Sequence, residues 1–463
     1  MNRIITSIIL SFIVLGFSFN AQADGKRPLT VDDIVKWNRI TDQKISDDGR
    51  FISVLVEPWK GTSKASLIDV KGNTLFSSDS AKSAHFTSDS EFLIVHRAGK
   101  KTESLIFYNI KSGNAERVDS VSKFLVMKDW GSWVLFAKRD SSVIAYNLVQ
   151  NKRFNYGKVK DWSPAEKTTR ILAVKGENIV CIDPVTDSER VVGKAKKVSK
   201  LAVSKSGNQF AWLDSGEISI HSQEGEIRRI KAGESSLPQG WRVPDNSPLY
   251  FSDNGNKLYF GTSPAERKRD TSAVDGDWPG VQVWHWKEGV QFTAQVLDKE
   301  RDKKKTNLAV YDIEASVLTE LANNESPRII TADKGNGDWV MSLSEKRYSL
   351  EEMWTGRTKY DIHITNAVMD RSVPVATAVN GNPQFSPKGK WIYWYSFPDS
   401  SWYSWSVTSM NGGFITSPEF LPVHDEENDV PDWPSAYGIA GWNEDESAIY
   451  HYDKFDIWRV DPQ

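Results

Sequence analysis

The chain has 463 residues, 39% of them hydrophobic and 26% charged, with 58 Lys plus Arg against 61 Asp plus Glu for a net charge of −3. This is the balance of a globular chain with ample material for a core, so wholesale disorder is excluded, and the missing basic excess speaks against a nucleic-acid partner. Cys181 is the only cysteine, which excludes an intrachain disulfide.

In chain order, the first element is a processing signal. Asn2 and Arg3 form a positive start, 4–19 an apolar run, and Ala21, Gln22 and Ala23 a small-x-small cleavage site. Together they predict an export signal over 1–23, a mature chain from about Asp24, and a periplasmic or secreted location. Thr6, Ser7, Ser11 and Ser18 thin the run below the roughly 20 apolar residues of a membrane anchor. No second long apolar run follows, so no membrane partner is expected once the signal is removed.

A lead-in over 24–41 contains LTVDDIVKWNRI, where Thr30 and Asp33 make a capping-box pattern and Ile34 and Trp37 stand one helical turn apart. A short helix is predicted there.

From residue 42 onward the chain repeats itself. A polar turn followed by an alternating apolar strand occurs as ISDDGRFISVLV, FTSDSEFLIVH, VSKSGNQFAWL, FSDNGNKLYFGT, FSPKGKWIYWYS and WNEDESAIYHY. Weaker copies begin at Met127, Trp162 and Thr331. Ser46 and Thr87 are 41 positions apart, as are Ser163 and Ser204. Most copies are followed by a second strand–turn–strand pattern, such as SLIFYNIKSGNAERV or EISIHSQEGEIRRI. Two hairpins in about 40 residues is the period of a propeller blade, whose faces are covered only by neighbouring blades. The 19 Trp, 14 Tyr and 20 Phe supply the large rings that such wedge-shaped packing requires. The expected fold class is therefore all-β, a β-propeller of about seven to eight four-stranded blades over 42–463. A β-sandwich would show strands at similar spacing but no longer period. DKERDKKKT at 298–306 reads as a solvated loop because acids are interleaved with its lysines. The last stretch, IYHYDKFDIWRVDPQ, reads as two strands joined at Asp453 and Lys454, the second and third of a blade incomplete at its C-terminal side.

These motifs together carry a resemblance. RPLTVDDIVKWNRI leading into ISDDGRFISV, then VQVWHWKEG, ERDKKKTNLAVYDI, YSLEEMWTGRTKYDIHI, PQFSPKGKWIYWYS and YGIAGWNEDESAIYHYDKFDIWRVDP resemble the propeller region of exported serine peptidases of the prolyl oligopeptidase family. The resemblance implies a non-catalytic portion that limits peptide access to an α/β-hydrolase domain. That domain is missing from this sequence, which has no G-x-S-x-G nucleophile elbow; Gly233, Ser235 and Leu237 of GESSL lack the closing glycine. No catalytic residue can be carried over, and hydrolysis by the chain alone is not expected. The chain would be the front piece of a longer peptidase, with a peptide as its partner only when joined to a hydrolase. The alternative is a stand-alone periplasmic propeller that binds a peptide or protein.

The remaining candidates read as structural. Cys181 alternates with apolar neighbours in NIVCIDP, as a small buried hydrophobe does. Glu351 and Glu352 could hold an ammonium only if both faced a cavity, and on a strand neighbours face opposite ways. HDEENDVPDWP from His424 to Pro434 lacks the spacing and mid-loop glycine of a calcium loop and reads as an exposed connection between blades. His85, His96, His221, His285, His363 and His451 lie in or beside strand-like or aromatic stretches, as packed histidines do. No catalytic, cofactor-binding or metal site is assigned, and no cofactor is expected.

Overall fold

The computed structural model describes residues 28–99, 102–265, 272, 281–323, 325–369 and 371–463. The proposed signal over 1–23 lies outside them. The described chain is mostly β, a succession of antiparallel meanders in which each strand pairs with the next one in sequence. It divides into two compact units, Met1–Val121 and Ser122–Gln463.

The first unit opens with helix α1, Val31–Ile34, whose capping box between Thr30 and Asp33 forms as the sequence predicts. A four-stranded sheet over 38–79 follows, so the first strand starts a few residues ahead of the predicted boundary. A second set of strands begins at Ala81 and ends in the long strand Ala115–Val126. That strand pairs with Glu103–Asn109 as far as Val121. Leu67, Leu93, Val95 and Tyr108 pack together in this unit's core.

The second unit begins with the last residues of the strand Ala115–Val126 and continues through strands to Lys158. It then runs through sheets over 162–194, 198–230, 241–320, 328–379 and 384–414, and closes with a three-stranded sheet over 439–460. The two predicted terminal strands are Ile449–Tyr452 and Ile457–Val460, joined at Asp453 and Lys454. Counting the first unit, the strands fall into nine successive groups, the ninth with three strands, among the described residues.

The nine polar turns found in the sequence are the nine connections between the first and second strands of these groups. Five of them share one chemistry. The hydroxyls of Ser46, Thr87, Ser204, Ser252 and Ser386 each accept a hydrogen bond from the backbone N–H five residues on. All five are buried, so the hydroxyl satisfies a donor that water cannot reach. The ninth turn uses the Asn443 side chain in the same way, accepting from Ala448 N–H at 2.9 Å. The fourth turn position has positive φ, and four of these turns place Gly49, Gly207, Gly255 or Gly389 there. The core between sheets is built from alternating strand residues; Ala211, Leu213, Ile218 and Ile220 pack with Leu258, Phe260 and Ala309, all fully buried.

Candidate functional site

The meander topology sorts the connections into two ends. Within a sheet the first and third strands run one way and the second and fourth the other, so turns between strands one and two, and three and four, lie at one end. The connection between strands two and three lies at the opposite end, together with the passage to the next sheet. At the first end the third-to-fourth turns are tight, as at 183–188, 312–317 and 406–411. At the other end the second unit carries its long connections: 265–306, 345–359 and 415–438. Long connections on a rigid scaffold are where binding residues concentrate. This elaborated end is the candidate site.

The described part of 265–306 exposes Val281, Val283, Trp284 and Trp286 and forms helix α2, Phe292–Asp302. No residue of α2 is buried. The predicted loop at 298–306 is thus corrected: its first residues are the last turn and a half of a helix. The acids interleaved with its lysines and arginine are ion-pair partners at helical spacing. Arg301 meets Asp298 at 2.6 Å, Lys303 meets Glu300 at 2.7 Å and Lys305 meets Asp302 at 2.8 Å. Beside α2 lies a groove of about 1450 Å³, lined by residues of 287–305, Glu325, Pro327, and residues of 345–350.

The second connection contains a short 3-10 turn, Lys346–Tyr348, and helix α3, Ser349–Thr355, ended by Gly356 at φ 67°. Glu351 and Glu352 therefore sit on a helix within a connection between strands, where the strand alternation does not apply, and the helix has a physical basis. Carboxylates in the first turn favour the positive end of the helix dipole, and a left-handed glycine stops the helix one residue after Thr355. The two glutamates do not converge on a cavity. Glu351 pairs with Lys359 at 2.6 Å, and Glu352 accepts from Thr358 Oγ1 at 2.5 Å. Trp354 stands 88% exposed beside them.

The third connection holds HDEENDVPDWP, between the eighth and ninth sheets as expected. Its two sides are joined by a bridge between His424 and Ala436 and by Asp425 N–H donating to Ser435 at 2.7 Å. Arg357, just after α3, stacks its guanidinium 3.8 Å from the centre of the Trp433 ring and ion-pairs with Asp432. Lys454 pairs with Glu427 at 2.5 Å. Among the described residues no group of acids and histidines has metal-holding geometry.

Under the first connection, Thr262 and Glu320 close one end of the sixth sheet. Thr262 Oγ1 donates to Glu320 Oε1 at 2.7 Å, while Oε2 has no hydrogen-bond partner. Burial raises this carboxyl to about 7, against the lowering effect of the Thr262 bond. Nothing in the sequence marks Glu320, because its burial is created by the sheets around it.

The other sequence candidates lie inside sheets. Cys181 is buried and its thiol is pushed up by burial, the environment of an unreactive cysteine. His221 stacks on Trp212 at 4.4 Å, and His451 is fully buried 5.1 Å from the Trp402 ring. Burial lowers His451 to about 4. In the first unit burial lowers His85 to about 4 as well, with Lys44 adding to the effect.

No known protein family matches the sequence, and no curated protein matches it. Solved structures do align with it. A eukaryotic initiation factor aligns at 11% identity and a TM-score of 0.42, over 85% of this chain and 92% of that one. Hsv2 of Kluyvelomyces marxianus aligns at 10% identity and a TM-score of 0.33, over 73% of this chain and 97% of that one. The tricorn protease aligns at 10% identity and a TM-score of 0.32, over 80% of this chain and 38% of that one. These scores are too low to carry function from any of them, and the assignment to blade-type antiparallel sheets of the β-propeller class rests on the strand order.

Proposed function

We propose that the chain is the non-catalytic propeller portion of an exported peptidase of the prolyl oligopeptidase type, and that its elaborated end is the face that meets polypeptide. The observation that supports this reading is the placement of the long connections 265–306, 345–359 and 415–438 of the second unit at one end of their sheets, with a groove beside the first two. A scaffold of sheets with short turns at one end and helical insertions at the other presents a single working face. In this role the propeller admits or excludes peptides, while bond cleavage belongs to a hydrolase domain that the sequence does not contain. The sequence motifs support the family assignment, and the missing nucleophile elbow supports the non-catalytic role.

The test uses the purified mature chain with fluorescently labelled short peptides. Binding measured by anisotropy, without turnover, is the expected result. Turnover blocked by a serine-reactive reagent would refute the non-catalytic role, and absence of binding to any peptide in a mixed-sequence set would refute the polypeptide-facing role.

A further inference from the structure

His451 stands on Ile449–Tyr452, the middle strand of the ninth sheet, and is fully buried. Neither ring nitrogen has a hydrogen-bond partner among the described residues. The Trp402 ring lies 5.1 Å away with its own N–H unpartnered, and an indole only donates. Ser404, on the same face of that strand, offers a neutral hydroxyl. Tyr393 and Tyr395, whose rings contact Trp402, are raised by burial and stay uncharged in acid. Glu446, which acts on Tyr393, is committed to Ser386, Lys388 and Lys390. The first strand of the ninth sheet, Ile439–Trp442, has no titratable group. On the other flank Trp458 is the register partner of His451 and donates to Asp453 at 2.6 Å, while Tyr450, Tyr452 and Arg459 alternate to the opposite face. No charged side chain offsets the burial of this imidazole.

The sheet around the ring is lightly built. It has three strands where each of the five sheets before it has four or five, and its outer strand exposes Ile457, Trp458 and Arg459. Opening that strand uncovers little apolar surface. Two ties bind the third long connection to this sheet: Tyr452 N–H donates to Gly438 O at 3.1 Å, and Lys454 pairs with Glu427.

We propose that His451 is an acid-sensitive latch, whose protonation opens the ninth sheet locally and frees 423–438 of the long connection at the elaborated end. The latch adds regulation to the polypeptide-binding face, and its purpose, though not its mechanism, rests on that reading. A buried imidazolium without an acceptor costs more than the attraction of a nearby indole ring returns, so the proton goes to an opened sheet in which water reaches the ring. Linkage fixes the sign and the size. With one proton taken up on opening, the open population grows as the pH falls below 6.5, by at most about tenfold per pH unit, and levels off near pH 4 where the buried ring itself protonates. Release of the connection is partial, because Arg357 still holds Asp432 and Tyr395 Oη still donates to Pro434 O at 3.0 Å.

Hydrogen exchange of the mature chain, read by mass spectrometry between about pH 7 and 5 and corrected for the intrinsic pH dependence of amide exchange, tests this. Protection of 449–460 and 423–438 is expected to fall more than about tenfold over that range, while the sheet over 162–194 changes less than about twofold. His451→Phe and His451→Gln, neither of which titrates, are each expected to remove the fall. His424→Gln, at the histidine within the connection, is expected to keep it. Circular dichroism at neutral pH checks that each variant is folded, and the two replacements of different polarity guard against one that does not fit. Protection that falls equally in every sheet would overturn the latch, as would a local fall that survives both His451 variants or is lost with His424. A latch that opens in a chain binding no peptide at either pH would overturn the polypeptide-facing role alone and leave the latch standing.

Discussion

The carboxylate of Glu446, in the turn of the ninth sheet, accepts a 2.8 Å hydrogen bond from Ser386 Oγ in the turn of the eighth. It also accepts from the backbone N–H groups of Lys388 and Lys390. In other turns the residue two places after the capping serine or threonine supplies this acceptor: Asp48 to Ser46, Asp89 to Thr87 and Asn254 to Ser252. The eighth turn has Lys388 at that place, and the neighbouring turn fills the gap. Glu446 does so from a position of φ 59°, where most of these turns have glycine. Its side chain is 2% exposed. Glu446→Ala would leave a hydroxyl and two N–H groups without an acceptor, and a loss of about 2–3 kcal/mol is expected in urea unfolding. Adding Lys388→Asp, which restores the local acceptor, should recover part of that loss.

Lys257 is a second buried tie. Its ammonium donates to Asn336 O at 2.8 Å, Gly337 O at 3.2 Å and Asp338 Oδ1 at 2.6 Å, joining the sixth sheet to the turn of the seventh. Only 5% of the side chain is exposed. Lys257→Met keeps the length of the side chain and leaves three acceptors facing an apolar group. We expect a destabilisation of about 2–4 kcal/mol by thermal unfolding. A loss below about 0.5 kcal/mol would show that the tie is dispensable.

Two buried groups bias stability in opposite directions across mild acidity. His451 is lowered from its ordinary 6.5 to about 4, so as the pH falls the unfolded chain takes up this proton first. Its contribution to stability is lost between about pH 6.5 and 4. Glu320 is raised from 4.5 to about 7, so as the pH rises the unfolded chain loses this proton first, and stability declines from about pH 4.5 to 7. The two windows overlap and the effects oppose each other, so His451→Phe should uncover a loss of stability as the pH rises from about 4.5 to 7, and Glu320→Gln a loss as it falls from about 6.5 to 4. Unchanged stability–pH curves in both variants would place the titrating groups elsewhere.

Arg357 joins two long connections at the elaborated end. Its contacts with Trp433 and Asp432 are partly exposed, so their loss should cost about 1 kcal/mol or less globally. Arg357→Ala is instead expected to speed proteolytic cutting within 415–438 several-fold while Tm changes little. Equal cutting rates in the variant and the parent chain would show that the connection is held by its own internal bonds, such as that between Asp425 and Ser435.

Much of the fold is legible in the sequence because its signals are local. The capping serine or threonine, the left-handed glycine after it and the alternating strand are all contained within a dozen residues, so all nine turns could be placed without coordinates. The Thr30–Asp33 cap and the terminal hairpin at Asp453 and Lys454 are local in the same sense. Helices α2 and α3 were less legible. α2 buries nothing and so has no apolar stripe against a core, and α3 is only seven residues long, too short for a period to emerge.

What the sequence determined by itself is the repeating unit: two hairpins, a hydroxyl-capped turn, and enough aromatic surface that no unit is stable alone. Tertiary structure decided what lies far apart in the chain. Ser386 with Glu446, Lys257 with Asp338 and Arg357 with Trp433 are separated by 60, 81 and about 76 residues, and only the stacking of sheets makes them neighbours. The gathering of three long connections at one end follows from antiparallel strand direction. Even there, the groove exists only because packed sheets hold the insertions side by side.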